Sequence, residues 1–282
     1  MPVFSTSVFC AILAFLAAQQ ATAQCLELSQ PLQQGSLVWS TVDPGSAVLL
    51  DGETVAVLPD GSTMFGFGRD AGPQASLVVT ATNNSGSCQQ TLEIHQRNYR
   101  ISRVDGVPAQ TVTPPKEQLE RIRRERTLVV HAKSQRLPRP ELIKDLIKGM
   151  QWPLVGRISG VYGSQRIYNG VPNNPHYGVD IARPTGSPVI APSRGVVTLA
   201  EPDLFFSGGT VILDHGYGLS SSFLHLSQVH VKPGQEIKRG DLLGEVGATG
   251  RATGPHLDWR MSWLDRRIDP QLLLPPMPVN TP

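Results

Sequence analysis

Short apolar runs separated by turn residues fill the chain between residues 25 and 100, and this pattern predicts strands rather than helices. The runs are bounded by dipeptides such as Pro44-Gly45 and Asp60-Gly61. Strands with turns at this spacing are typical of a small β-sandwich, so we expect a β-sandwich-like domain at residues 24–100. The predicted strands are 36–41, 47–50, 54–58, 76–81 and 90–95.

After residue 152 glycines punctuate the apolar runs much more densely, which marks tight turns in a sheet. At 256–263 polar and apolar residues alternate strictly, and this period of two predicts a half-buried strand with one polar face. We therefore expect a mainly β chain whose glycine-rich β-domain covers 152–274, followed by a short tail at 275–282. Further strands are predicted at 189–191, 195–199, 210–214 and 241–246.

The segment between these two regions has a helical pattern. Thr113 precedes a Pro-Pro pair and a charged run with a sparse apolar stripe, which predicts a helix start and a helix. A second short helix is predicted at 141–150, so we expect residues 101–151 to be a helical linker. The arginines of the first helix could bind an anionic polymer, but a solvated face paired with glutamates is the simpler interpretation. They are Arg121, Arg123, Arg124 and Arg126.

The first 23 residues have the features of an export signal. A short apolar run from Val8 to Ala18 precedes Ala21-Thr22-Ala23, a small-x-small cleavage site, although the segment contains no Lys or Arg. The run is too short to span a bilayer, and no other apolar stretch approaches the roughly 20 residues of a membrane helix. We expect an exported protein without a transmembrane segment, located in the periplasm or cell envelope or secreted.

Removal of that segment would leave two cysteines, Cys25 and Cys88. A pair of cysteines in an oxidising compartment predicts a disulfide, here between the first and last strands of the β-sandwich-like domain. Lipidation of Cys25 is the alternative, but Gln24 is a poor residue before a lipidated cysteine. The formal net charge of +2 is too small to indicate nucleic acid as the main partner.

Three short motifs carry residues that could bind a metal and perform hydrolysis. His176 and Asp180 are separated by an even number of positions, as are His256 and Asp258, so each pair would share one face of extended backbone. His225 lies in a Phe-Leu-His-Leu-Ser run between them. Nitrogen and oxygen ligands with spare histidines nearby indicate a divalent metal and hydrolase chemistry.

The order of motifs across about residues 155–270 resembles the lysostaphin-type (LytM-like) zinc endopeptidases of cell-wall metabolism. The matching elements include His176-x-x-x-Asp180, Val211-Ile-Leu-Asp-His-Gly, Leu224-His225-Leu-Ser and Thr253-Gly-Pro-His256-Leu. The resemblance implies a β-rich domain with a groove, a zinc ion and peptidoglycan peptide as substrate. Carried over by position, it makes His176, Asp180 and Asp258 the zinc ligands, and it assigns catalytic roles to His225 and His256.

Asp258 departs from the pattern, because the family usually has histidine at this ligand position. His, Asp and Asp can form an open three-ligand zinc site. With a second carboxylate among its ligands, however, the metal would acidify its bound water less. Arg260, on the same predicted face, is a candidate partner for Asp258. Arg166 precedes the first ligand and could bind a substrate carboxylate or brace its loop.

The sequence favours an exported zinc metallo-endopeptidase whose N-terminal domain positions it on the wall or on an envelope protein. A degenerate wall-binding regulator that activates another hydrolase stays open, because the altered residue is a ligand. A binder of carbohydrate or anions that uses the N-terminal domain and the arginine-rich helix stays open as well.

Overall fold

The computed structural model describes residues 25–82, 86–106 and 114–278 of the 282-residue chain. The predicted signal peptide and Thr113 lie outside the described residues. No helix in the described part has both the length and the apolar character that a membrane span requires.

The N-terminal region is a pair of small antiparallel sheets, and the prediction of a mainly β chain is confirmed. One sheet joins β1 and β4, and the other has the strand order β3-β2-β5-β6. Leu50 and Leu77, paired across β2 and β5, are buried in the core together with Phe65 of β4. The strands are β1 (Leu37–Thr41), β2 (Ala47–Leu50), β3 (Glu53–Val55), β4 (Ser62–Gly66), β5 (Gln74–Thr80) and β6 (Ser87–Glu93).

Two details of this region differ from the sequence expectation. Strand β4 was not predicted, because Thr63, Met64 and Phe65 are buried in succession and leave no alternating pattern. A disulfide does join Cys25 to Cys88, with a Cα–Cα distance of 5.6 Å. Cys25, however, precedes β1 rather than lying in a strand, so the bond ties the start of the described chain to β6.

The C-terminal region is built around a ten-stranded sheet with the central order β16-β13-β14-β15-β18-β11-β8. Strand β17 pairs with β12 and β15, and β19 pairs with β18, while β9 and β10 belong to a separate small sheet. The strands are β8 (Arg157–Gly160), β9 (Gln165–Tyr168), β10 (Val171–Pro172), β11 (Val179–Ala182), β12 (Pro188–Ile190), β13 (Gly195–Leu204), β14 (Gly208–Asp214), β15 (Leu219–Val229), β16 (Glu236–Ile237), β17 (Leu242–Val246), β18 (His256–Trp263) and β19 (Arg266–Ile268).

The segment predicted as a helical linker begins with a strand, β7 (Ile101–Val104), which pairs in parallel with β9. Two helices follow, α1 (Leu119–Lys133) and α2 (Pro140–Ile147). Strand β7 was missed because Ile101 and Val104 are exposed and carry no buried alternation. Helix α2 buries Ile143 and Leu146 in the same apolar cluster as the strands of both β regions.

Helix α1 packs onto one face of the large sheet. Ala132 is buried against Leu199 of β13 and Ile212 of β14, with Val129 beside them. Ile212 pairs with Ser222 of β15, and Ser222 pairs with Arg260 of β18. Directly paired residues share a face, so α1 lies on the same face as the polar side chains of β18. The opposite face carries the main apolar core.

Candidate active site

The alternation of β18 places its polar residues on one face of the sheet, as the sequence predicted. Asp258 lies directly opposite Asp180 of the neighbouring strand β11, so both carboxylates project from that face. His176 comes from the loop before β11. Its backbone N–H donates to the carbonyl of Ser164 at 2.8 Å, and its own carbonyl accepts from the N–H of Gly163 at 2.7 Å.

The three predicted ligands converge on one point. His176 Nε2 lies 2.9 Å from Asp180 Oδ1 and 3.6 Å from Asp258 Oδ2. One ligand atom from each residue lies within 4.8 Å of the other two, and no other group of this kind occurs in the described ranges. Although His176 Nε2 and Asp180 Oδ1 lie close to each other, both atoms are buried and neither has a hydrogen-bond partner. Buried polar atoms of this kind normally have a partner, so these orphaned atoms fit a bound cation.

Backbone carbonyls orient all three histidines of the site. The Nδ1 atoms of His176, His225 and His256 lie 3.3, 2.9 and 2.8 Å from the carbonyls of Val161, Thr249 and Gly254, respectively. A carbonyl can only accept, so each Nδ1 carries a proton, and in the neutral form of each ring the lone pair is on Nε2. The neutral form of each ring thus leaves Nε2 available to bind a metal or to accept a proton.

His225 sits at an irregularity in β15 that aims it at the site. Its φ is +65°, in the left-handed region that few residues other than glycine adopt. Its N–H leaves the ladder and donates to the carbonyl of Ser207 at 2.8 Å. The His225 and His256 rings are 4.9 Å apart, and His256 Nε2 is 3.8 Å from Asp180 Oδ1. Strain of this kind is typical of functional residues.

Asp258 is held by Arg260, the partner that the sequence suggested. Arg260 Nε donates to both carboxylate oxygens, at 2.9 and 3.0 Å, and Nη2 donates to Oδ2 at 2.5 Å. Burial alone would raise the pKa of Asp258, but the Arg260 guanidinium and His176 hold it far below its usual range. The carboxylate is therefore ionised, as a metal ligand must be, although its charge is shared with Arg260.

The pKa values of the histidines differ because their neighbours differ. Burial opposes the charged form of His176, but Asp180 and Asp258 outweigh it and raise the pKa to about 10. Burial lowers the pKa of His225, and the Thr249 carbonyl only partly offsets this effect. His225 is thus neutral at neutral pH, as a proton acceptor requires.

Two glycines of the set that the sequence analysis interpreted as turn residues give the carboxylates their space. A Cβ on Gly160 would stand 2.1 Å from Asp180 Oδ2, and one on Gly178 would stand 2.6 Å from Arg260 Cγ and 2.8 Å from Asp258 Oδ1. Neither glycine has a positive φ, so their role is steric rather than conformational. The sequence alone does not show that these glycines lie beside the carboxylates, because that depends on which strands pair.

Other singled-out residues lie away from this cluster. Arg166 is exposed on β9 and donates to the Tyr168 hydroxyl at 3.3 Å, and its contact with substrate stays a prediction. His215 is buried between the Arg194 carbonyl and the Ser221 hydroxyl, and His230 contacts Glu245 at the surface. Sequence reasoning missed Lys133 and Arg267, which lie near Ser262 on the face of the site.

A mainly β domain that presents a His-Asp-Asp cluster beside two oriented histidines defines a metallopeptidase-like site. The chain belongs to peptidase family M23, whose family pattern matches residues 174–270. A solved structure from Pseudomonas aeruginosa described as an M23 peptidase is 31% identical. That similarity covers 88% of this chain and 96% of the other, with a TM-score of 0.65.

Curated relatives share the C-terminal region. The peptidoglycan DD-endopeptidase ShyA of Vibrio cholerae is 37% identical over 108 residues, which are 38% of this chain and 25% of ShyA. The cell division protein DipM of Caulobacter vibrioides is 33% identical over 130 residues, which are 44% of this chain and 20% of DipM. The chain therefore spans only a quarter or less of these proteins' own lengths.

Proposed function

We propose that this protein is an exported zinc metallo-endopeptidase that hydrolyses peptide bonds in the cross-links or stems of peptidoglycan. The observation that carries the proposal is the convergence of His176, Asp180 and Asp258 with two ligand atoms left without hydrogen-bond partners. The substrate class is supported by the relative ShyA, named a peptidoglycan DD-endopeptidase. The predicted signal peptide and the Cys25–Cys88 disulfide support export to the periplasm or envelope.

In this proposal His176 Nε2 and the two carboxylates hold the metal, a donor set that suits zinc. A bound divalent metal supplies Lewis-acid chemistry, which makes water more acidic and a peptide carbonyl more electrophilic. The carboxylates are fixed by pairing between β11 and β18 and by Arg260. This chain thus provides a rigid, largely buried donor set.

The two remaining histidines handle the proton and the developing charge. Water adds to the carbonyl carbon, one histidine accepts the water proton at Nε2, and this proton passes to the leaving nitrogen as the C–N bond breaks. The other histidine, when it carries a proton on both ring nitrogens, donates from Nε2 to the oxyanion, which lowers the energy of the tetrahedral intermediate. Their rings are 4.9 Å apart, close enough for both to reach one reacting carbonyl group.

The test is mass spectrometry of fragments released from purified peptidoglycan by residues 24–282, with and without zinc. We expect new free amines at one type of peptide bond. A His256→Ala variant should release none, while His230→Gln, which alters a surface histidine outside the cluster, should behave like the unaltered protein. No release by folded, zinc-loaded protein on several wall types would overturn the proposal.

A non-catalytic regulator is the second candidate, and one observation favours it. Arg260 bonds both oxygens of Asp258, so binding of a metal has to compete with an arginine for that carboxylate. A regulator would bind peptidoglycan without cutting it and would retain no stoichiometric metal. Metal analysis after dialysis against a weak chelator separates the two candidates, because the endopeptidase is expected to keep about one equivalent of zinc per chain.

We further propose that the N-terminal β region positions the protein on the wall or on an envelope protein. Support comes from its firm attachment to the C-terminal region through a shared apolar cluster. Arg97 and Asp269 form a salt bridge of 2.8 Å between the two regions. Nothing in the charge of the chain favours nucleic acid.

A further inference from the structure

The polar face of β18 continues beyond the metal cluster. Arg260 and Ser262 follow Asp258 on this face, and β15 adds Ser222 and Ser220 in direct register. On the other side Arg267 of β19 pairs with Ser262. This second polar area, formed by Lys133, Ser220, Ser222, Arg260, Ser262 and Arg267, is called the basic cluster below. The proposed reaction uses none of its residues except Arg260, through Asp258.

Positive charge exceeds negative charge in the basic cluster. Arg267 Nη1 lies 2.9 Å from the Ser262 hydroxyl, and Lys133 Nζ, which comes from α1, lies 3.4 Å from the same oxygen. Neither cation forms a salt bridge with any carboxylate of residues 25–82, 86–106 or 114–278. Arg260, the third cation, is occupied by Asp258.

The environment penalises this excess charge. Burial, with repulsion from Arg267 and Arg260, holds the pKa of Lys133 well below its usual range. Burial, with repulsion from Arg260, also lowers the pKa of Arg267. Buried cations are normally paired with an anion. An anion bound beside Lys133 and Arg267 would therefore stabilise the charged form of both side chains.

The cluster also has a free hydrogen-bonding group and an open side. The Ser222 hydroxyl is buried and has no hydrogen-bond partner in the described structure. Arg260 keeps 30% of its side chain exposed. Arg267 lines a cleft of about 480 Å³ between the N-terminal sheets and the C-terminal sheet, and Tyr177, the neighbour of His176, lines it too. The cluster thus borders an open cleft through Arg267.

The spacing of the two areas fits one extended peptide. Ser262 is four residues beyond Asp258 on β18, which is about 13 Å at the rise of a strand. An extended substrate lying on this face would cover that distance in about four residues. A group near the cluster would therefore belong to the same peptide as the bond at the metal cluster.

We propose that Lys133 and Arg267, with the Ser262 and Ser222 hydroxyls, form a subsite for a carboxylate of the peptide substrate. The inference rests on the proposed function for the identity of that peptide. A carboxylate is the anion that wall peptides carry on the same chain as their cleavable bonds. The fork of Arg267 can bind both of its oxygens, and the Lys133 ammonium adds a point charge.

The test compares two synthetic stem peptides that differ only in a free carboxylate or a carboxamide, placed about four residues from the cleavable bond. Their binding to zinc-loaded His256→Ala protein is measured by calorimetry, so that neither peptide is consumed. We expect the carboxylate peptide to bind about tenfold or more tightly. Arg267→Gln and, independently, Lys133→Met should weaken that peptide alone, while Arg267→Lys should retain part of the preference.

Arg266→Gln is the matched control, because Arg266 is the adjacent residue of β19 and pairs with Glu53 at 2.9 Å. It should keep the full preference, and thermal melting should show that each variant is folded. Equal binding of the two peptides, or no measurable binding of either, would overturn the subsite while leaving wall cleavage intact as a separate result. A carboxylate preference in a protein that cuts no wall peptide would support the subsite and reject the endopeptidase.

Discussion

At residue 258 the chain carries a carboxylate where the family resemblance expects a histidine, and Arg260 accompanies this change. The guanidinium satisfies both oxygens of Asp258 and offsets the second negative charge of the site. With Arg260 beside Asp258, the net charge around a bound metal would be close to the charge in a site whose third ligand is a neutral imidazole. The pair at positions 258 and 260 is therefore best regarded as one unit.

Replacing Asp258 tests its assignment as a ligand. We expect Asp258→Ala to lose tight zinc binding, because it removes one of three donors and leaves Arg260 uncompensated beside the metal. The loss of zinc affinity should exceed the roughly 10- to 100-fold loss that follows removal of a residue hydrogen-bonded to a metal ligand. Asp258→His keeps a third donor and should retain more zinc than Asp258→Ala, although it also leaves Arg260 without its carboxylate. Zinc content and competitive chelator titration measure both effects, and Asp265→Ala, an exposed carboxylate, is the control. Stoichiometric zinc in Asp258→Ala would show that the ligand is another residue.

Gly160 offers a steric test of the same site. A methyl group there would stand 2.1 Å from Asp180 Oδ2, so Gly160→Ala has to displace that carboxylate. We expect loss of zinc binding and of activity, with a far-ultraviolet spectrum like that of the unaltered protein. Gly86→Ala is the matched control for Gly160→Ala, because its new methyl group would have no heavy atom within 4 Å. Retention of zinc by Gly160→Ala would mean that Asp180 binds the metal from another rotamer.

At the scale of elements, the sequence predicted strand β18 well and the arrangement around it poorly. Strict alternation from His256 to Trp263 identifies both the strand and its polar face. Pairing with β11, which brings Asp180 to Asp258, depends on contacts between distant residues and is invisible to local patterns. The candidate ligands could be predicted because their motifs resemble those of a family, whereas Gly160 and Lys133 belong to no such motif.

Helix α1 shows why the segment 101–151 is more than a connection. Its sparse apolar stripe suggests weak attachment, yet Ala132 is 2% exposed and lies against Leu199 and Ile212. Arg121 adds a salt bridge of 3.0 Å to Asp203 of β13. A small residue at the contact lets the helix approach the sheet closely, and small residues add little to a hydrophobic pattern.

Ala132→Glu tests whether α1 is docked on the sheet. The change would bury a charge among apolar side chains, so we expect the protein to lose about 2 kcal/mol or more of unfolding free energy. Amide exchange in α1 should also become faster. Val130→Glu, at a position that is 59% exposed, is the control and should change little. Equal stability of the two variants would indicate that α1 is detached in solution.

At the scale of the whole molecule, the larger of two apolar clusters in the described residues runs from Leu26 of the N-terminal region to Ile268 of β19. Helix α2 contributes Leu146 to it, and Lys144 of the same helix reaches Asp60 at 2.9 Å. The two β regions and the segment between them are thus packed together. The free energy of unfolding is therefore a property of the entire described body, including residues remote from the metal cluster.

His215 makes that free energy depend on pH. The ring is fully buried, and burial lowers its pKa to about 4, although its bond to the Arg194 carbonyl opposes the shift. Between pH 4 and the ordinary value of 6.5, the unfolded chain binds a proton that the folded chain does not. Stability should consequently fall as the pH decreases through this window, by about 3 kcal/mol at most from this residue.

Urea unfolding at several pH values between 4 and 7 measures the slope. We expect His215→Asn to be less stable at neutral pH, because the variant loses the bond to Ser221, and to show a smaller decrease towards acid. His230→Gln, which changes a surface histidine, is the control. Carboxylates titrate in the lower part of this range in all three proteins, so the comparison of slopes isolates His215. Identical slopes for all three would show that the His215 ring is protonated or exposed in the folded state.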